Sequence, residues 1–357
     1  MSLSTRILLL GTLALTVALS ACDSPPPTWP ADAAIPPSDA AEATATDDAG
    51  LFDAGVIDAA TGAADADSAT DAGQQAPDGQ SQAASPDAAQ EIDGSLLVRV
   101  MAANLSSGNA QTYDPGEGLR LIAGAHPDVV LIQELIYGDN SDAAIQKMTT
   151  DTLGPSFVAC RGAGGGSGGM PNGILSRWPV TACAGWTDPQ VSNRNFTYAR
   201  IQLPGPRELW AVSLHLLTSS SSERSAEATS LVKSVQGTVP QGALLVLGGD
   251  LNTSSVTEAC IKTLGAVVVV PGARPVDQNG DSNTNASRSR PHDFVFASAL
   301  VDQAQVPTTI GASRFDHGLV LDSRVYTPLS EIAPAQQGDS GAAGMEHMGV
   351  VKDFLVP

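Results

Sequence analysis

The chain has 357 residues, room for one large domain or two ordinary ones, with 16% charged and 4% aromatic side chains and a formal net charge of −20. No excess of positive charge is present to advertise nucleic-acid binding. The acidity is uneven, however: residues 23–93 hold 15 of the 38 acidic side chains and no Lys or Arg, so the 264 residues that follow carry 23 acids against 17 bases.

In chain order, "MSLSTRILLLGTLALTVALSAC" joins a basic Arg6 to an apolar run and a small-residue exit, the pattern of a secretory signal. Its end, Leu19-Ser20-Ala21-Cys22, resembles the lipobox of bacterial lipoproteins, whose cysteine thiol receives a diacylglyceryl group and becomes the new N-terminus. The resemblance implies a lipid-anchored, extracytoplasmic protein of the cell envelope, held at the outer membrane or the periplasmic face of the inner one. An ordinary signal peptide containing a cysteine is the alternative. Residues 23–93, built from Ala, Asp, Pro, Gly, Ser and Thr, cannot bury enough apolar surface to offset their conformational entropy. They read as a disordered, self-repelling tether, leaving 94–357 as the folded domain.

From residue 95, strand-like runs recur: "LLVRVMAANL", "DVVLIQEL", "GILSRWPVTACAGW", "FTYARIQL", "ELWAVSLHLL", "ALLVLGGDLN", "AVVVV", "HDFVFAS" and "MGVVKDFLV". Several combine β-branched enrichment with period-two alternation. The best helical signals are "GEGLRLIAGAH" and "SERSAEATSLVKSVQG", the second with Ser and Glu early and Gly at its end. Many strands and few helices argue for an α+β domain of sheets packed face to face with helices outside.

Two loops invite a ligand and fail its pattern. "GAGGGSGG" at 162–169 lacks the Gly-Lys-Ser/Thr of a phosphate-binding loop and the strand and helix that flank a serine nucleophile. "DQNGDSNTN" at 277–285 alternates oxygen side chains but has no glutamate for a calcium-loop bidentate ligand. Of the cysteines, Cys160 and Cys183 flank the glycine run and can pair in an oxidising compartment, which leaves Cys260 over once Cys22 is lipidated.

Polar residues interrupt or end the apolar runs: Asn104 in "VMAANLS", Gln133 and Glu134 in "VVLIQEL", His215 in "AVSLHLL", Asp250 and Asn252 in "GGDLN", Asp293 in "RPHDFVF" and His347 in "MEHMGVV". Singly, each reads as a satisfied core group or a turn residue. Together they are types that bind Mg²⁺, hold a phosphate or move a proton. In this order the set resembles the endonuclease/exonuclease/phosphatase superfamily, across residues 96–357. "IQEL" matches its Gln-Glu metal motif and "GGDLNT" its Gly-Asp-Asn/Leu-Asn motif; "AANLS", "SLHL" and "HDFVFAS" match less closely.

The resemblance implies a four-layer α/β/β/α sandwich of two packed, mainly antiparallel sheets, with the site at one edge. For the closing Ser-Asp-His motif two candidates exist: Asp316-His317 in "FDHG", and Glu346-His347 just before the last apolar strand. The second sits where the pattern wants it, with glutamate replacing aspartate.

Oxygen ligands suit Mg²⁺ or Mn²⁺, which need only one or two carboxylates. Glu134 and Asn104 are the expected metal ligands, Asp250 the residue that orients or deprotonates water, and Asn252 its support. His347, paired with Asp293, contacts the phosphate or serves as base, and His215 donates to a phosphate oxygen or the leaving group. Arg200 is a rim cation or a plain surface arginine. Zinc is not favoured, since no HExxH occurs. The expected protein is a monomeric, divalent-metal-dependent phosphodiester hydrolase acting on nucleic acid. The alternatives are a phospholipid or sphingomyelin phosphodiesterase of the same fold, and a catalytically silent binding lipoprotein.

Overall fold

The computed structural model describes residues 91–92, 94–162 and 169–357. The expected signal with Cys22, nearly all of the expected tether and most of the glycine run therefore lie outside the described residues.

Strands β1 (Glu91–Ile92) and β2 (Ser95–Ala103) lead to α1 (Glu117–Ala125), β3 (Val129–Ile132), α2 (Asp142–Leu153), β4 (Val158–Arg161), β5 (Gly173–Ser176), β6 (Val180–Thr187), β7 (Asn195–Gln202) and β8 (Glu208–His215). Next come α3 (Ser221–Thr238), β9 (Leu244–Asp250), α4 (Ala259–Leu264), β10 (Asp293–Ala297) and α5 (Ala299–Asp302). The short β11 (Gln305–Val306), β12 (Thr308–Ile310), β13 (Ser313–Phe315) and β14 (Leu319–Leu321) precede the closing β15 (Gly349–Val356).

Eight strands make one sheet, ordered β11-β15-β2-β3-β5-β4 with β1 beside β2 and β14 beside β15; five make the other, β10-β9-β8-β7-β6. β12 and β13 pair separately. Period-two alternation in β2 explains the layering: Leu96, Val98, Val100 and Ala102 join the core between the sheets, whereas Met101 and Ala103 pack with Leu121, Ile122 and Ala125 of α1. On the far face Ala228, Leu231 and Val235 of α3 and Ile261 and Leu264 of α4 cover the second sheet. The result is the expected four-layer α/β/β/α sandwich, with sheets that are antiparallel except at β2–β3 and β8–β9. Parallel neighbours require a crossover, and α1 and α3 supply the two.

Some local readings change. The run at 173–186 divides into β5 and β6 of different sheets, because Pro179 cannot donate to a ladder. "AVVVV" is not a strand: after α4 only Val269 bridges, to Ala297, while Val268 turns into the core. Helix α2 went unpredicted, although Ser141 caps it by accepting from the Ala144 amide. Glu91 and Ile92, read as tether, pair with β2.

In the loop that resembles a calcium site, Arg288 supplies the cation, its guanidinium 2.9 Å from Asp277 and 2.5 Å from Asp322. Cys160 and Cys183 are disulfide-bonded, with Cα atoms 5.5 Å apart. The bond staples β4 of one sheet to β6 of the other. Cys260 is free and buried.

Candidate active site

The two parallel pairs aim their C-terminal ends at the same rim. β2 runs out into Asn104 and β3 into Gln133 and Glu134; β8 ends on His215 and β9 on Asp250. Register places Asp250 opposite His215 on one side and opposite Asp293 on the other. His347, just before β15, arrives from the large sheet.

These side chains meet. Asn104 Nδ2 donates to Asp250 Oδ2 at 3.0 Å and lies 3.4 Å from Glu134 Oε1. Asp250 Oδ2 is also 3.3 Å from His215 Nε2 and 3.5 Å from His347 Nε2. His347 Nδ1 lies 2.9 Å from Asp293 Oδ2. Asn252 donates its backbone N–H to Asp250 Oδ1 and its amide to Leu216 O and Asp250 Oδ2. The turn reading of Asp250 and Asn252 is thus also correct: one carboxylate oxygen closes the turn and the other faces the cluster. Ser106 Oγ donates to Glu134 Oε2.

The backbone is shaped for this convergence. Glu134 and Asn252 adopt left-handed φ values of 51° and 50°, the kind of strain that persists only where surroundings enforce it. Gly249, at φ 137°, precedes Asp250; a Cβ there would sit 2.1 Å from Leu214 O and 2.6 Å from Gln133 Nε2. Gln133 points between the sheets, donating to Leu131 O and Ser213 Oγ, so it bolts the sheets together.

Burial sets the electrostatics. Burial alone would raise the Asp250 pKa, but His347, His215 and His292 more than reverse this and hold it below its ordinary value. His347 is also penalised by burial, yet Asp293, Asp250 and Glu134 drive its pKa up to about 10. Asp293 is raised by burial to about 6, and the proton of this pair resides on the imidazole. His215, buried and facing Arg194 and His347, falls to about 3 and is neutral. Glu134 is raised by burial, against the pull of Ser106 and His347.

A divalent cation of oxygen preference fits the Asn104–Glu134 end. Asn104 Oδ1 is buried without a protein partner, and the buried Glu134 carboxylate lies beside it. One atom from each of Asp250, His292 and His347 also lies within 4.8 Å of the other two.

All seven expected site residues gather at this rim. His317 and Glu346 are exposed and outside it. Arg200 is a surface residue, 3.3 Å from Glu208. Two neighbours were not foreseen. Arg194, buried just before β7, donates to Leu216 O, the carbonyl that also receives Asn252, and feels the charges of Asp250 and Glu134. His292 stacks at a tilt on His347, ring centroids 5.4 Å apart; its signal was the His-Asp dipeptide at the head of β10.

Among solved structures the chain is similar to an endonuclease/exonuclease/phosphatase from Bacteroides vulgatus, at 14% identity and TM-score 0.52 over 73% of this chain and 99% of that one. It is also similar to D. rerio TDP2 complexed with single-strand DNA product (20% identity, TM-score 0.46, 72% and 98% covered) and to beta toxin from Staphylococcus aureus (13%, 0.45, 71% and 99%). No curated protein matches its sequence. The family model described as Endonuclease/Exonuclease/phosphatase family matches residues 101–313, from β2 past Asp293 but short of His347. With that match over more than half its length and this sandwich beneath it, the chain belongs to the endonuclease/exonuclease/phosphatase family of metal-dependent phosphoric ester hydrolases.

Proposed function

We propose that the chain hydrolyses phosphodiesters of nucleic acid at the rim where β2, β3, β8, β9, β10 and β15 meet, tethered to the cell envelope through Cys22. The observation that carries the catalytic reading is the buried convergence on Asp250 Oδ2 of Asn104, His215 and His347. Three separate segments would not bring their polar ends to one carboxylate oxygen of a fourth for stability alone, because each buried polar group costs free energy unless paired.

A divalent cation held by Glu134 and Asn104 would neutralise phosphate charge and stabilise the transition state. Asp250, kept ionised chiefly by the protonated His347, accepts a proton from, or orients, the attacking water. Asn252 fixes the Asp250 carboxylate. His347, fixed by Asp293, presents Nε2–H to a phosphate oxygen. Neutral His215 has a single N–H, which either braces Asp250 from the other side or, with substrate bound, is given to the phosphate or leaving group. Arg194 adds a buried positive charge on the β7 side. Nucleic acid is favoured over a lipid surface because, among the described residues, only Val256, Val270 and Leu300 are large exposed hydrophobics. Arg290, Ser287 and Ser289, whose polar groups suit phosphate oxygens, are exposed beside His292.

The test is product release from plasmid DNA, RNA, a bis-aryl phosphate and sphingomyelin, with Mg²⁺, Mn²⁺ or chelator, by the wild type and Asp250→Ala. Metal-dependent cleavage of the aryl ester and a nucleic acid, abolished in the variant, is expected. Cleavage of sphingomyelin alone would move the substrate to the lipid class. Inactivity on all four would leave a silent binding protein.

A further inference from the structure

The loop between β2 and α1 carries a tyrosine whose hydroxyl hydrogen-bonds neither Asn104 nor Glu134 but grips the chain beside each. Tyr113 is fully buried. Its phenolic oxygen accepts from the Leu105 amide at 3.1 Å and lies 2.9 Å from Ala103 O and 3.1 Å from Gln133 O. Its own backbone N–H donates to Ile136 O at 2.9 Å. Asn104 is therefore bracketed at 103 and 105, and Glu134 at 133 and 136.

This matters because the β2–β3 ladder ends here. Gln133 N donates to Ala103 O at 3.2 Å, and beyond that bond the strands no longer hold each other. Glu134 then takes its left-handed backbone, which something must enforce. A single hydroxyl does so by accepting one amide and sharing its proton between two carbonyls. Removing it would leave the Leu105 N–H buried and unpaired, and the cheapest relief is for the two strand ends to shift apart. We propose that Tyr113 is a positioning residue that sets the distance between Asn104 and Glu134, and so the affinity of the site for its divalent cation. The inference rests on the reading of Asn104 and Glu134 as metal ligands.

The experiment measures Mn²⁺ binding without substrate, by calorimetry, for the full chain, for Tyr113→Phe and for Tyr326→Phe. Tyr326 is the control: its buried hydroxyl meets Ile310 O and Glu331, away from the site. Tyr113→Phe should bind Mn²⁺ roughly 10- to 100-fold more weakly, the usual effect of losing an outer-shell partner. Its kcat should fall at subsaturating metal while KM for substrate stays put, and Tyr326→Phe should match the wild type. If the wild type binds no Mn²⁺, the ligand assignment itself is wrong. If the wild type and Tyr113→Phe bind equally, the assignment survives and Tyr113 is a core residue only. Should Tyr113→Phe fail to fold, hydrogen exchange at the Leu105 amide of the wild type decides. Slower exchange with Mn²⁺ supports the bracket, and an unchanged rate overturns it.

Discussion

His347 Nδ1 lies 2.9 Å from Asp293 Oδ2, a contact between residues 54 positions apart that ties the head of β15 in one sheet to the head of β10 in the other. Both side chains are buried, so the carboxylate fixes the ring and directs Nε2 toward Asp250. The contact is at once a closure between sheets and, in the proposed mechanism, the orientation of a proton donor.

Replacing the carboxylate by its isostere separates these roles. Asp293→Asn keeps the shape and a hydrogen-bonding group but removes the charge that keeps the imidazole protonated. Phosphodiester turnover should fall by roughly 100-fold or more, the scale of a lost acid–base partner, with little change in KM. Steady-state kinetics on the bis-aryl ester check this, and a rate within twofold of wild type would count against the assigned role.

The Cys160–Cys183 bond closes a segment of 23 residues between edge strands of the two sheets. Constraint of the unfolded chain by a loop of that size contributes about 3 kcal/mol. The double variant Cys160→Ser/Cys183→Ser should therefore unfold at lower denaturant with its site chemistry retained. Denaturation curves that coincide with the oxidised wild type would contradict this.

Glu227, buried under the loop after His215, accepts from the Leu217 amide. Burial raises its pKa from 4.5 to about 8, with Asp188 adding to the shift. Between those values the folded chain holds the proton more tightly than the unfolded chain. The stabilisation is complete below pH 4.5 and is lost as pH rises through 8. The melting temperature of Glu227→Gln should fall less steeply than that of wild type across this window, and parallel pH profiles would refute the assignment.

Much of the site was legible because its residues violate their surroundings. Asn104, Glu134, His215, Asp250 and Asp293 each stand where an apolar strand should continue or turn, and the short motifs around them fixed the family. His347 was separable from His317 only by its place before the last strand; the fold sets His347 against Asp293 and Asp250 and leaves His317 exposed. Arg194 was not legible: nothing local distinguishes it from Arg200, which lies at the surface on β7 itself, and its burial depends on how the head of β7 meets the loop after β8. Tyr113 was hidden for a similar reason, since its role is to hold backbone atoms brought together only by the parallel β2–β3 pair. "AVVVV" misled because composition favours a strand there while the chain, leaving α4, reaches β10 at a single bridge.

In the proposed mechanism Glu134 and Asn104 hold a divalent cation on which hydrolysis depends. The most direct measurement is bis-aryl phosphate hydrolysis across a Mg²⁺ and Mn²⁺ titration, for the wild type and Glu134→Gln. Wild-type turnover that vanishes with chelator, returns with metal, and drops in the variant by roughly 100-fold is the predicted result. Turnover that is indifferent to chelator, or equal in the two proteins, would contradict it.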